Sequence, residues 1–169
     1  MTRYNAAYWI EHLQLTQHIE GGWYTEIYRS DIVLQKEQLP DSFSDARNIC
    51  THIYFLLGKN GFSAFHRIKS DELWHFYTGD ALVIYELDTS GELIEHLLGT
   101  DIEKNQSPFC VIKKGNWFAS RIENGGEYGL AGCTVAPGFD FKDFEVAGKE
   151  TLSGEFPAHA KLIADMTIK

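Results

Sequence analysis

The stretch Phe65-His66-Arg67-Ile68-Lys69-Ser70-Asp71-Glu72-Leu73-Trp74-His75-Phe76-Tyr77-Thr78-Gly79-Asp80 sets the reading of the whole chain. Two β-rich runs, residues 62–68 and 72–77, flank the turn Lys69-Ser70-Asp71, and Gly79-Asp80 turns the chain again. Side chains alternate across a strand, so Glu72, Trp74 and Phe76 share one face while Leu73, His75 and Tyr77 share the other. The polar groups of this stretch therefore do not form one cluster: Glu72 and His75 point apart unless a bulge intervenes.

Working outward, residues 23–29 read as a strand with Trp23, Thr25, Ile27 and Arg29 on one face and Tyr24, Glu26 and Tyr28 on the other. Gly21-Gly22 before it permits a tight turn or a close backbone approach. Residues 48–57 form a further strand, and 31–47 a polar loop around Pro40. Downstream, 81–87 and 93–98 are joined by the hairpin turn Asp88-Thr89-Ser90-Gly91, and 109–112, 117–121, 128–136 and 139–146 continue the series. Helices are expected only at the ends, over 2–15 with Thr2 as a cap and over 152–164. Roughly ten short strands with frequent turns predict an all-β sandwich or small barrel. No strand–helix alternation and no Gly-rich turn leading into a helix support a phosphate-binding α/β sheet.

The bulk numbers narrow the function. A chain of 169 residues with 44% hydrophobic and 14% aromatic content suits one domain, 1–169. A net charge of -9 argues against nucleic acid and against anionic membrane surfaces as partners. No run is long and apolar enough for a membrane span, and no signal peptide is evident. Cys50, Cys110 and Cys133 are widely spaced, without a CxxC pair, which predicts reduced core thiols and a cytoplasmic protein.

His66, Glu72 and Gly79, with six residues between the last two, resemble the first motif of the cupin superfamily. A narrower resemblance joins Glu20-Gly21-Gly22-Trp23-Tyr24, Tyr28-Arg29-Ser30, Ile53-Tyr54-Phe55-Leu56-Leu57, the opening stretch and Gly132-Cys133-Thr134-Val135-Ala136-Pro137-Gly138-Phe139-Asp140-Phe141. Together, over about residues 5–150, these blocks look like a cupin-like family of unknown function, similar in structure to dTDP-4-dehydrorhamnose 3,5-epimerases. The resemblance implies a cupin jelly-roll β-barrel, a double-stranded β-helix, with short terminal helices, and a homodimer.

It also organises the candidate site. Metal-binding cupins use three His and one Glu, but Ile68 stands where the second His belongs and Phe118 where the His of the second motif belongs. The reading is therefore metal-free and without cofactor. His66 and Glu72 are the candidate catalytic pair, with His66 as general base in the manner of the epimerases. Tyr24, Tyr28, Tyr54, Tyr77 and Tyr85 are candidate acids. Arg29 is a candidate for a ligand's anionic group, and Trp74, Phe76, Trp117 and Phe118 for a flat apolar wall. The expected ligand is a small molecule, a sugar or nucleotide-sugar. A non-catalytic metabolite-binding protein is the alternative, and a metal-dependent oxygenase or isomerase a further one.

Overall fold

The alternation read from the sequence is realised in a computed structural model that describes residues 4–123 and 125–168. The strands are β1 (Thr16–Gln17), β2 (Trp23–Arg29), β3 (Val33–Leu34), β4 (Arg47–Asn48), β5 (Thr51–Gly58), β6 (Phe62–Arg67) and β7 (Asp71–Gly79). They continue with β8 (Leu82–Leu87), β9 (Leu93–Leu98), β10 (Phe109–Ile112), β11 (Trp117–Ile122), β12 (Tyr128–Ala136) and β13 (Glu145–Val146). One sheet has the order β1-β2-β5-β12-β7-β10, and the sheet facing it β13-β6-β11-β8-β9. Successive long strands from β5 to β8 alternate between the two sheets, which makes the architecture the expected cupin jelly roll.

Three apolar clusters hold the sheets. Phe55, Leu57, Trp74, Leu82, Ile84 and Phe118 fill the space between them. Phe65, Val83, Tyr85 and Leu87 on the back of the five-stranded sheet pack against Leu152, Phe156, Ile163 and Met166 of the tail. Trp9 and Ile10 of α1 (Ala6–His12) and its C-cap Leu13 cover Leu56, Tyr128 and Leu130 on the back of the six-stranded sheet. Each fully buried Leu, Ile or Phe of these clusters contributes roughly 1.5–3 kcal/mol of transfer free energy.

Four elements differ from the expectation. Residues 48–57 are not one strand: β4 ends at Asn48 and pairs with β3, and β5 begins at Thr51 in the six-stranded sheet. Asn5 caps α1, accepting from Tyr8 N at 3.0 Å, and Thr2 lies outside the described residues. The tail is two helices, α2 (Lys149–Glu155) and α3 (Ala160–Asp165), separated by a 3-10 turn at Pro157–His159. Pro157 has no N–H to donate and disfavours helical backbone at Phe156, so one continuous helix cannot form. Residues 139–146 are not a strand. Only Glu145–Val146 pair, against β6, and Phe141–Asp143 form a 3-10 turn whose Lys142 N donates to the Asp140 carboxylate at 2.9 Å. All three cysteines are free thiols. Among the described residues no helix is long and apolar enough to cross a membrane.

Candidate functional site

The turn between β6 and β7 carries the chain from one sheet to the other, so His66 and Glu72 face a common interior from opposite walls. They border a cavity of about 580 Å³ that opens between β2, β5 and β12 on one side and the segment before β13 on the other. That volume suits a small molecule. The register Glu72↔Val135 and His75↔Gly132 is regular, and the irregularity in this strand pair lies beyond His75, so Glu72 points in and His75 out.

Glu20 is the residue that the sequence reading left out. It enters the cavity because Gly21 and Gly22 take left-handed backbone, with φ of 106° and 76°. A Cβ on Gly21 would lie 2.1 Å from the Phe62 carbonyl oxygen, so only glycine lets this segment lie against β6. Ala64 N then donates to Glu20 O at 2.8 Å, and Ser63 Oγ donates to Glu20 Oε1 at 2.8 Å. The other carboxyl oxygen, Oε2, is 3.2 Å from His66 Nε2. His66 Nδ1 lies 2.7 Å from the Ala64 carbonyl, so Nδ1 carries the ring hydrogen and Nε2 offers a lone pair.

Burial fixes where the shared proton resides. It pushes His66 down to about 3 and pushes Glu20 well above the usual carboxylate range, with the nearby Glu72 adding to the rise. The pair is therefore a neutral carboxylic acid donating to a neutral imidazole. His18, whose Nδ1 accepts from Glu20 N at 3.3 Å, is likewise lowered to about 4 by burial.

Glu72 differs from Glu20 in having no such partner. It is 8% exposed, and the groups that meet it are the neutral Cys133 thiol and Trp74 indole N–H, with no cation or imidazole beside it. Burial raises its pKa to about 7; the Cys133 thiol and the Trp74 indole N–H offset part of that rise. A buried carboxyl poised near neutrality is the protonation behaviour that acid–base catalysis needs.

The mouth is aromatic and rigidly pinned. Phe139, Phe141 and Phe144 pack on one another with centroids 5.0–6.0 Å apart, and His18 stands 4.6 Å from Tyr24 and 5.8 Å from Phe144. Arg47 and Asp143 form a buried bidentate pair at 2.6 and 2.8 Å that ties the 3-10 turn to β4. Phe139 N donates to Thr51 Oγ1 at 3.0 Å, and Lys142 Nζ meets Asp45 at 2.8 Å.

The other expected site residues lie elsewhere. Arg29 reaches the mouth but donates to both Glu26 oxygens at 2.9 and 2.7 Å, to Asn48 Oδ1 at 2.8 Å and to Phe139 O at 3.2 Å. Trp74 and Phe76 belong to the core beneath the cavity. Phe118 fills the same core with its ring 4.0 Å from His66. Trp117 points the opposite way, into the cluster under the tail helices, with Arg67 stacked on it at 4.3 Å. The wall of the cavity is instead Tyr24, Phe55 and the three Phe of the mouth. Of the expected acids, Tyr24 lines the cavity, Tyr54 and Tyr77 meet on the outer face of the six-stranded sheet, and Tyr85 receives Arg121.

The donor set does not fit a cupin metal ion. Ile68 lines the cavity and Phe118 packs on His66 at the two positions where His ligands belong. Among the described residues no three His, Cys, Asp or Glu side chains converge to hold one.

Comparison with known proteins agrees with this geometry. The chain is similar over 98% of its length to a hypothetical protein from Leishmania major, with 30% identity, full coverage of that chain and a TM-score of 0.89. A protein from Shewanella oneidensis is 36% identical over 98% of both chains, with a TM-score of 0.87. Oxalate decarboxylase from Bacillus subtilis shares the fold at 13% identity and a TM-score of 0.53, over 89% of this chain and 36% of its own. No curated protein matches the sequence. Residues 7–147 match the family described as Cupin superfamily (DUF985), and the chain belongs to that family of small-molecule-binding barrels.

Proposed function

We propose that the cavity binds a small carbohydrate-like molecule and moves a proton at the carbon beside its carbonyl, the chemistry of a metal-independent isomerase or epimerase. Glu72 carries the reading: a buried carboxyl that faces the cavity, has no charged partner and is pushed up to about 7 by burial. In its ionised form it takes the proton from carbon, and the bond's electrons pass to the carbonyl oxygen. The Glu20 carboxyl, its Oε2 3.2 Å from His66 Nε2, holds a second proton at the cavity wall. Glu72 then delivers that proton to the former carbonyl carbon while the hydroxyl proton on the first carbon passes to the former carbonyl oxygen, which completes the isomerisation with no net proton change. In this reading Glu72 takes the basic role expected of His66, because burial, lowering its pKa to about 3, makes His66 a weak base and its free nitrogen already faces Glu20.

Solvent deuterium exchange into a panel of free aldoses and ketoses, followed by NMR, tests this. The expected result is exchange by the native protein and a drop of about 100-fold or more in Glu72→Gln, in line with the usual share of general acid–base catalysis. Binding of the sugar persists in that variant. Binding without exchange in the native protein would establish a non-catalytic metabolite-binding cupin instead, and exchange at the native rate in Glu72→Gln would remove Glu72 from the mechanism.

A further inference from the structure

Building on the carbohydrate reading above, we infer that the ligand is uncharged: a free sugar or cyclic polyol carrying neither phosphate nor nucleotide. Four carboxyl side chains, Glu20, Glu26, Glu72 and Asp140, border the cavity, and the single Lys or Arg among its lining residues is Arg29. That guanidinium is already committed. Its Nε and Nη2 grip both oxygens of Glu26, Nη2 also donates to Phe139 O, and Nη1 donates to Asn48.

The cations just outside are committed too. Arg47 is buried against Asp143, Lys69 is 3.5 Å from the same carboxylate, and Lys142 pairs with Asp45. A phosphate entering here would meet the Glu26 and Asp140 carboxylates at the mouth and uncharged or near-neutral carboxyls at depth, without a free positive charge to compensate, so its desolvation would go unrewarded. The remaining groups suit hydroxyls and ring faces. Thr16, Thr25, Thr51 and Tyr24 offer neutral hydroxyls on the wall, and Phe139, Phe141 and Phe144 offer flat apolar surface at the mouth. The buried Glu72 carboxyl at depth has only the neutral Cys133 thiol and Trp74 N–H beside it, and a ligand hydroxyl is a group that can hydrogen-bond to it.

Isothermal titration calorimetry at pH 7 with D-fructose, L-rhamnose, D-fructose 6-phosphate and a nucleoside diphosphate sugar tests the charge rule. At least one free sugar binds, and its phosphate ester binds at least tenfold more weakly. Glu26→Gln, which releases Arg29, narrows that gap at least fivefold. Equal or tighter binding of the phosphate ester or the nucleotide sugar overturns the inference, as does the absence of binding by every free sugar. The exchange experiment fails separately. Exchange into phosphorylated sugars alone would sink the charge rule and keep the proton-transfer reading; binding of free sugars without exchange would do the reverse.

Discussion

The two faces of the six-stranded sheet use the same strands, β5, β12 and β7, and treat ionisable groups in different ways. On the outer face, His52 Nδ1 lies 2.6 Å from Thr134 Oγ1, His52 Nε2 lies 2.9 Å from Tyr77 OH, and His75 Nε2 reaches the same Thr134 at 3.3 Å. Neighbouring side chains meet these groups, and His52 is lowered by burial first and by the nearby His75 second. On the inner face, Glu72 is buried with no charged partner, the Cys133 thiol and Trp74 N–H offset only part of the cost, and its pKa climbs to about 7. Burial alone does not separate them from structural groups, because the Arg47–Asp143 pair is just as buried and fully matched. A buried charge with a bidentate partner holds the mouth together; a buried carboxyl without one is free to exchange a proton.

The largest effect should come from breaking the matched pair. Asp143→Asn leaves the Arg47 guanidinium buried with carbonyl contacts only, at Asp45 O and Ala46 O. A loss of about 3–5 kcal/mol is expected, which for a chain of this size lowers Tm by roughly 10 °C. Thermal unfolding checks it, and an unchanged Tm would show that the pair does not pin the mouth.

Removing the unmatched carboxyl should do the opposite. Native Glu72 keeps its proton to about pH 7, while the unfolded chain gives it up near the ordinary 4.5. Between those values the native state binds more protons, so this group's contribution to stability falls as pH rises. Glu72→Gln is therefore expected to be more stable than the native protein by about 3 kcal/mol at pH 8 and equal to it at pH 4. His66 has the reverse sign: neutral in the native state down to about 3, it contributes stability that is lost as pH falls below 6.5. Urea unfolding of the variant across pH 4–8 separates the two, and a gain that does not vary with pH would contradict the assignment.

The smallest effect belongs to the outer face. Thr134→Val removes the contacts to both His52 and His75, yet water can replace them, so a change within about 1 kcal/mol is expected, with ligand affinity unaltered.

Much of this was legible in the sequence. The strands 23–29, 93–98, 109–112 and 128–136 have the expected bounds, because aromatic and β-branched alternation between Gly-rich turns leaves little choice. The same period separated Glu72 from His75. What failed had no periodic signal. Glu20 precedes β2 in irregular backbone, and only the Gly21-Gly22 pair after it hinted that the chain there approaches another strand. The Phe-rich segment 139–146 looked like a strand by composition, whereas the Asp140 cap and the Arg47–Asp143 pair, a contact 96 residues apart in sequence, bend it into a turn. Trp74 and Phe118 do face inward, as alternation requires, but inward here includes a packed core beneath the cavity, and parity cannot tell those two levels apart.

The central claim is that Glu72 holds a proton to neutrality inside the cavity. Carbon-detected NMR of Glu side-chain carboxyls, with the Glu72 resonance assigned by its absence in Glu72→Gln, measures this directly. The account predicts a midpoint near 7; a midpoint at the ordinary carboxylate value, near 4.5, would contradict it.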